Sequence, residues 1–157
     1  MQHTYLIALG SNMRSHRHGL PPKVLARALE MIALTGIEIV AASPIVSSRP
    51  VGPSQREYSN GAVVLRCRLE PMAMLAMLQD IERKFGRERR GQPWRARVLD
   101  LDIVLWSGGA FHSPELTIPH PEFRQRDFVL RPAASIAADW RDPETGLSLR
   151  HLAARLR

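Results

Sequence analysis

Apolar and turn-forming residues alternate along the chain in a way that predicts a strand followed by a helix. A short apolar run at residues 5–9 stops at Gly10, which is typical of a buried strand ending in a turn. After Pro22, apolar residues recur at helical spacing as far as Gly36: Val24, Leu25, Ala28, Leu29, Ile32 and Ala33. We therefore expect the first helix to end near Gly36.

The following apolar runs predict two strands, a second helix and another strand. Residues 37–46 form one strand, interrupted at Ser43-Pro44, and residues 61–69 form the next. Pro71 can begin a helix whose apolar face is Met72, Leu75, Leu78 and Ile81, and Gly86 ends the pattern. Residues 98–106 are apolar apart from Asp100 and Asp102, and the turn signal at 107–109 ends this strand.

The resulting order, β-α-β-β-α-β, is the ferredoxin-like order of an α+β fold. It predicts an antiparallel sheet with both helices on one face. Residues 110–157 form a C-terminal extension with a short helix near 133–138 and an amphipathic tail marked by Leu149, Leu152 and Leu156. We expect residues 1–157 to form a single domain.

Composition excludes several classes of protein. Of the 157 residues, 45% are hydrophobic and 24% are charged, which is typical of a globular chain and not of a disordered one. No apolar run is long enough for a membrane-spanning helix, and a cytoplasmic location is expected. Cys67 is the only cysteine, which excludes an internal disulfide and a cysteine-based zinc site.

Positive charge is concentrated in one segment. Residues 83–97 contain seven basic residues and the single acid Glu88, which is a net charge of +6 in a chain whose total is +7. Such a segment can be a dedicated anion site or a loop that grips nucleic acid phosphates. Charge alone does not separate the two.

Asp100 and Asp102 are the strongest candidates for chemistry. Alternation along a strand places both on one face, with Cα atoms about 6.6 Å apart, and places Leu99, Leu101, Ile103 and Leu105 on the other. Two carboxylates this close require a compensating cation, and Mg²⁺ favours one or two carboxylates plus phosphate oxygens. The alternative is a solvent-facing edge with the aspartates paired to arginines. The arginine-rich segment just upstream favours the metal site.

Common nucleotide-binding motifs are absent from the sequence. Neither lysine belongs to a Gly-Lys-Ser/Thr phosphate loop, and Gly10 is not part of a dinucleotide-binding glycine triplet. Any triphosphate must therefore be held by arginines and metal. His120 could donate to a phosphate oxygen, although a lone histidine is more often exposed or structural. Tyr58, Asn60 and Phe128 could hold a flat heterocycle, although scattered aromatic residues usually belong to the core.

Taken together, these motifs resemble one enzyme family over nearly the whole chain. The matching segments, in order, are Gly10-Ser11-Asn12, residues 49–53, Tyr58-Ser59-Asn60, residues 79–82, 94–97 and 99–103, and Ile118-Pro119-His120. The family is 6-hydroxymethyl-7,8-dihydropterin pyrophosphokinase, also called 2-amino-4-hydroxy-6-hydroxymethyldihydropteridine diphosphokinase. The resemblance implies Mg²⁺-dependent transfer of pyrophosphate from ATP to the pterin hydroxymethyl group, releasing AMP, in folate biosynthesis. It also implies the ferredoxin-like fold.

The resemblance assigns roles to individual residues. Asp100 and Asp102 would bind two Mg²⁺ ions, and Arg87 and Arg97 would stabilise charge in the transition state. The nucleotide would contact Gln79, Glu82, Arg87, Arg89, Arg97, Ile103, Thr117, His120 and Arg126. The pterin would contact Ser48, Val51, Tyr58, Asn60, Trp94, Asp100 and Phe128. The expected partners are these two small molecules, with no nucleic acid and no membrane, and a monomer is expected.

Two other functions are compatible with parts of this sequence. A basic ferredoxin-like domain could bind RNA, but the aromatic signature of RNA-recognition strands is absent and the corresponding strand carries aspartates. A nucleotidyl transferase could use the same pair of aspartates on a similar fold. Product analysis separates this second alternative from a pyrophosphokinase.

Overall fold

The computed structural model describes residues 1–12, 15, 18–48, 58–86 and 98–156, which form an α+β fold. In chain order the elements are β1 (His3–Ser11), α1 (Pro21–Leu34), β2 (Glu38–Ala42), β3 (Val46–Ser48), β4 (Tyr58–Cys67), α2 (Pro71–Lys84), β5 (Asp100–Trp106), β6 (Phe111–His112), β7 (Thr117–Ile118), a 3-10 turn (Phe123–Gln125), α3 (Asp127–Ala137) and α4 (Leu149–Arg155). Every helix and strand predicted before residue 107 is present, with boundaries shifted by up to three residues.

Within the described residues, the main sheet has five strands, and all of its pairings are antiparallel, as expected. Its order is β2-β4-β1-β5, and β3 pairs with β4 beyond the end of β2. The central strands β1 and β4 pair over their whole length, from His3 opposite Cys67 to Ser11 opposite Ser59. Strand β5 lies at one edge of the sheet, so one side of its backbone is available to other elements.

One face of the sheet packs against α1 and α2. Alternate residues of β1 (Tyr5, Ile7 and Leu9) enter a core with Val63 and Leu65 of β4, because side chains of a strand alternate between the two faces. Helix α1 contributes Val24, Leu25, Ala28 and Ile32 to this core, and α2 contributes Met74, Leu78 and Ile81. Helical periodicity therefore identified most of the buried face of α1. On α2, Leu78 and Ile81 are buried as predicted, but the inclusion of Met72 was wrong: Met72 is 39% exposed, and Met74, which shares a helical face with Leu78 and Ile81, is buried instead.

Gly36 and Gly86 lie just past α1 and α2, as predicted. Their φ angles are +90° and +84°, in the left-handed region that glycine adopts without steric cost. Each amide N–H bonds back to the last turn of its helix, Gly36 to the Ala33 carbonyl and Gly86 to the Arg83 carbonyl. These glycines end the helices.

The other face of the sheet carries a second core, formed with α3 and α4. Leu6 and Ala8 of β1 and Val64 of β4 pack there with Leu130 and Leu149 from the two C-terminal helices. Helix α3 begins at Asp127, six residues before the short helix predicted at 133–138. Proline usually marks the first turn of a helix, whereas here Pro132 is buried inside one.

Strand β5 departs from simple alternation at Val104. Leu6 pairs with Leu105, but the next residue, Ile7, pairs with Ile103, so Val104 is an extra residue in the strand. Val104 and Leu105 both pack in the core under α3. The expectation that Leu105 shares a face with Leu99, Leu101 and Ile103 was therefore wrong, because the bulge reverses the alternation beyond Ile103.

A buried ion pair joins the 3-10 turn to the loop before α4. The Arg124 guanidinium donates to both carboxylate oxygens of Asp142, whose side chain is 0% exposed. The Glu144 amide and the Thr145 hydroxyl donate to the same carboxylate, at 3.0 and 2.8 Å. Burial by itself would raise the pKa of Asp142, but these donors offset that effect and lower the pKa to about 2.

No helix in the described part of the chain is both long and apolar enough to span a membrane.

Candidate active site

A cavity of about 490 Å³ opens where β1, β4 and β5 meet the start of α3. Six residues predicted for the site from the sequence line it: Tyr58, Asn60, Asp100, Asp102, Arg126 and Phe128. They come from three separate parts of the chain, 58–60, 100–102 and 126–128. The fold therefore brings the predicted metal ligands together with three further predicted pterin contacts, Tyr58, Asn60 and Phe128.

The pairing register of β1 with β4 and β5 determines which residues lie side by side at the base of this cavity. Gly10 lies between Asn60 and Asp100 on the neighbouring strands, and two residues earlier Ala8 lies between Ala62 and Asp102. Residues directly opposite in a sheet project from the same face, so both carboxylates have a small residue beside them. A Cβ atom added at Gly10 would lie 3.3 Å from Asn60 Oδ1. Gly10 thus leaves room between the amide and the carboxylate.

Asp100 and Asp102 fit a magnesium site that is completed by the substrate. Both are half-buried, and both line the cavity on one face of β5. No group of three or more histidine, cysteine, aspartate or glutamate side chains suited to a metal occurs among the described residues. Two carboxylates suit Mg²⁺, which takes its remaining ligands from phosphate oxygens and water. The donor set therefore favours metal held jointly by protein and nucleotide.

Two aromatic side chains lie at the cavity with unusually high exposure. Phe128 is 51% exposed and Tyr58 is 38% exposed, and both line the cavity together with Asn60. Burial of large aromatic rings normally stabilises a fold, so exposed rings at a cavity indicate a ligand surface. The Arg126 guanidinium lies 5.8 Å from the centre of the Phe128 ring and pairs with Glu122.

His120 lies beside the carboxylates, at a small neighbouring cavity that Asp102 and Arg126 also line. Its amide donates to the Val104 carbonyl at 3.1 Å, which ties its loop to β5. The ring Nδ1 accepts from the Glu122 amide at 3.1 Å, so the proton of the neutral ring is on Nε2. Burial lowers the pKa of His120, opposed by the negative charge of Asp102.

The remaining described candidates do not line the main cavity. Ile103 is 3% exposed in the core under α1 and α2, and Thr117 pairs with His112 in a small separate sheet. Gln79 is half-buried on α2. The carboxylate of Glu82 accepts a hydrogen bond from the Leu101 amide at 2.8 Å, and Glu82 is 3% exposed.

Several predicted site residues lie outside the described residues: Val51, Arg87, Arg89, Trp94 and Arg97. Ser48 is the last residue of β3 and pairs with Tyr58 in the sheet. The predicted arginine contacts with phosphate therefore remain predictions from the sequence.

Sequence reasoning gave no role to the small residues of β1 or to Val129, which also line the cavity. A signal was present, because Ala8 and Gly10 are small residues at alternate positions of an otherwise bulky apolar strand. Such a pattern indicates close approach by a ligand or a neighbouring chain segment. Val129 had no comparable signal, since the helix that carries it was not expected to begin so early.

Comparison with known proteins gives a consistent result. The sequence model of the family described as 7,8-dihydro-6-hydroxymethylpterin-pyrophosphokinase (HPPK) matches residues 6–138. A 2-amino-4-hydroxy-6-hydroxymethyldihydropteridine pyrophosphokinase from Synechocystis is 40% identical over 147 residues, covering 94% of this chain and 73% of the relative. The protein of the same name from Haemophilus influenzae is 38% identical over 138 residues, covering 87% of this chain and 82% of the relative.

Similar folds occur in solved structures of larger proteins. The wild-type HPPK-DHPS of Plasmodium falciparum superposes with a TM-score of 0.76 at 13% identity, covering 99% of this chain and 41% of that one. The same protein with pteroate gives a TM-score of 0.74 at 11% identity, covering 99% and 44%. This chain spans less than half the length of those structures, and at such low identity the likeness concerns the fold alone.

Proposed function

The chain belongs to the 7,8-dihydro-6-hydroxymethylpterin-pyrophosphokinase family, and on that premise we propose that it transfers pyrophosphate from ATP to 6-hydroxymethyl-7,8-dihydropterin. The products would be AMP and the pterin diphosphate. One observation carries this proposal, which is that a single cavity joins the carboxylates of Asp100 and Asp102 to the exposed rings of Tyr58 and Phe128. A metal-bound polyphosphate and a flat heterocycle would thus meet in one place.

The pterin would lie between the rings of Tyr58 and Phe128. Stacking against a planar ring is favourable and excludes water from both faces of the heterocycle. Asn60 offers an amide that can donate and accept hydrogen bonds at the edge of such a ring, and Gly10 leaves that edge open. Ser48, Val51 and Trp94 complete the proposed pterin contacts.

Asp100 and Asp102 would hold two Mg²⁺ ions together with the phosphate oxygens of ATP. When bound, Mg²⁺ neutralises phosphate charge and makes the phosphorus a better electrophile. The contribution of the protein is position, because adjacent residues of the sheet fix both carboxylates on one face of β5. Without a cation, two carboxylates on one strand repel each other and the triphosphate.

Described residues also offer cationic and hydrogen-bonding groups for the phosphates. Arg126 lines both the main cavity and the smaller one beside His120. Because the Glu122 amide occupies Nδ1 of His120, Nε2–H is the ring atom that can donate to a phosphate oxygen. Arg87, Arg89 and Arg97 are proposed as further phosphate contacts, with Arg87 and Arg97 stabilising the transition state. Gln79, Glu82, Ile103 and Thr117 stay predictions as nucleotide contacts.

The reaction needs little covalent participation by the protein. The pterin hydroxymethyl oxygen attacks the β-phosphorus, the bond from that phosphorus to the α,β-bridging oxygen breaks, and AMP leaves with the electron pair while the hydroxyl proton passes to solvent. Positioning and charge stabilisation by the site would therefore provide most of the rate. We assign no general base.

We also assign the sheet and the helices α1 and α2 to the ferredoxin-like arrangement. The strand order β2-β4-β1-β5, with antiparallel neighbours throughout, supports this assignment. Helices α3 and α4 add a second layer on the opposite face of the sheet. The expectations of a cytoplasmic location and a monomeric state stay predictions from the sequence.

Product analysis tests the proposed function. Purified protein is mixed with ATP, Mg²⁺ and 6-hydroxymethyl-7,8-dihydropterin, and the nucleotides and pterins are separated. We expect AMP and pterin diphosphate only when the pterin is present. ADP in place of AMP would indicate an ordinary kinase, and a pterin–AMP conjugate with free pyrophosphate would indicate a nucleotidyl transferase. Either result, or no pterin-dependent product, contradicts the proposal.

A further inference from the structure

Strand β5 carries the proposed metal ligands on an edge of the sheet, where half of its backbone groups have no partner strand among the residues that the structure describes. In an antiparallel pair, alternate residues direct their N–H and C=O groups toward the neighbouring strand, and the residues between them direct theirs outward. Asp100 and Asp102 pair with Gly10 and Ala8 of β1. Leu101 lies between them and directs its amide to Glu82, away from β1.

Glu82 of α2 provides the acceptor that this amide requires. Its Oε2 lies 2.8 Å from the Leu101 nitrogen, and both residues are buried, at 3% and 4% exposure. An amide N–H buried without a partner destabilises a structure substantially, so this contact fixes the outer edge of β5 at its second residue. The fixed point lies directly between the two aspartates.

We propose that Glu82 is a positioning residue for the magnesium site, acting through the Leu101 amide to hold the carboxylates of Asp100 and Asp102 at the spacing that the metal requires. The proposal rests on the proposed function, since it concerns the same metal site. It is separate from the nucleotide contact that the family resemblance implied for Glu82, which stays a prediction.

Two observations separate positioning from direct ligation. Glu82 is not among the residues that line the cavity, and it does not join the two aspartates in a three-ligand cluster among the described residues. Its carboxylate meets β5 at the strand edge, whereas the aspartates project from the face under α3. Glu82 therefore acts on the backbone that carries the ligands.

The test compares Glu82→Gln, which keeps an oxygen that can accept the hydrogen bond from Leu101, with Glu82→Leu, which occupies a similar volume but cannot accept that hydrogen bond. Asp80→Ala is the matched control, because Asp80 is a carboxylate on the same helix that pairs at the surface with Arg83 and Lys84. In metal-free protein, amide hydrogen exchange at Leu101 should accelerate at least about tenfold in Glu82→Leu and stay near the native rate in the other two variants.

The second readout is the Mg²⁺ concentration that half-saturates ATP binding, measured by calorimetry. We expect about a tenfold increase in Glu82→Leu, little change in Glu82→Gln and Asp80→Ala, and unchanged binding of the pterin alone. Unchanged exchange at Leu101 in Glu82→Leu would overturn the proposal. An equal increase of the half-saturating Mg²⁺ concentration in Glu82→Gln and Glu82→Leu would also overturn it. The negative charge of Glu82, and not its hydrogen bond to Leu101, would then be responsible.

Two further outcomes are also decisive. If Glu82→Leu does not fold, Glu82→Gln alone tests the proposal. This variant must keep the native exchange rate at Leu101 and the native half-saturating Mg²⁺ concentration, and a change in either would overturn the proposal. Native protein without pterin-dependent turnover would contradict the proposed function but would leave the exchange result at Leu101 interpretable, since that measurement uses no substrate.

Discussion

At the scale of single residues, small neighbours expose the two aspartates of β5 to the cavity. Ala8 and Gly10 lie opposite Asp102 and Asp100, and neither has a side chain long enough to cover a carboxylate. The added methyl group at position 10 would meet the Asn60 amide at 3.3 Å. Access to the two carboxylates of β5 thus depends on the small size of Ala8 and Gly10 in β1.

Replacing either aspartate, by Asp100→Ala or Asp102→Ala, should lower turnover by about a thousandfold or more, because each change removes a proposed metal ligand. The fold should persist, since both side chains are half-buried and the change relieves repulsion between like charges. Pterin-dependent AMP formation and thermal unfolding measure the two effects. Asp139→Ala, an 85% exposed carboxylate paired with Arg150, is the control and should retain activity. Native turnover in either site variant would refute the assignment.

Phe128→Ala should raise the KM for the pterin about tenfold while changing the KM for ATP little, because the ring is proposed to stack on the heterocycle. Phe128 is 51% exposed, so its removal should leave the melting temperature nearly unchanged. Steady-state kinetics with each substrate varied in turn checks this. Leu34→Ala is a suitable control, since Leu34 is 77% exposed at the end of α1. Equal effects on both KM values would argue against stacking on the pterin.

At the scale of secondary structure elements, local irregularities decide which side chains face which core. The extra residue Val104 turns Leu105 toward α3 and leaves Ile103 under α1 and α2. Pro132 inside α3 costs one helical hydrogen bond, yet α3 buries Val129, Leu130 and Ala133 against the sheet. In both cases packing outweighs the local preference of the backbone.

The Arg124–Asp142 pair should hold the 3-10 turn to the C-terminal layer, and Asp142→Asn should lower the free energy of unfolding by about 2 to 3 kcal/mol near neutral pH. The folded pKa of Asp142, about 2, lies below its ordinary value of 3.8. This contribution is therefore complete above about pH 4 and is lost as the pH falls toward 2. Urea unfolding of both proteins at pH 7 and pH 2.5 measures the change.

The difference between native protein and Asp142→Asn should shrink at the lower pH, since protonation removes the same negative charge. A difference that stays constant between the two pH values would show that the ionised form of Asp142 is not responsible. Glu115→Gln is the matched control, because it replaces an exposed carboxylate with an amide. We expect it to change the free energy of unfolding little at either pH.

At the scale of the whole molecule, two layers of helices cover the two faces of one sheet. Helices α1 and α2 pack on one face, and α3 and α4 pack on the other. The cavity lies where the second layer begins, so Arg126, Phe128 and Val129 at the start of α3 face residues of three strands. Ligand binding at this junction should therefore stabilise the contact between α3 and the sheet.

ATP and Mg²⁺ supplied together should raise the melting temperature by about 5 to 10 °C at a hundredfold excess over Kd, because a ligand that binds only the folded state stabilises it. Mg²⁺ alone, or ATP with EDTA, should have a much smaller effect, since the site requires metal and phosphate jointly. Thermal scans of the native protein and of the Asp100→Ala, Asp102→Ala double variant check this. An equal shift with ATP and EDTA would contradict metal-dependent binding.

The sequence by itself determined the elements before residue 107 and the placement of Asp100 and Asp102 on one strand. Periodicity located α1 and α2 and most of the buried face of α1, and alternation placed Asp100 and Asp102 together on one side of β5. These features depend on residues close in the chain, whose geometry is fixed by the repeat of a helix or strand. Motifs in the sequence also indicated the family, which the comparisons support.

Only the tertiary structure decided which residues meet. Strand register brought Gly10 between Asn60 and Asp100, a bulge moved Leu105 to the second core, and the early start of α3 placed Phe128 at the cavity. The Glu82 carboxylate reached the Leu101 amide in the same way. Such contacts join residues far apart in the chain, and they are set by packing and hydrogen bonding across elements, which no local pattern encodes.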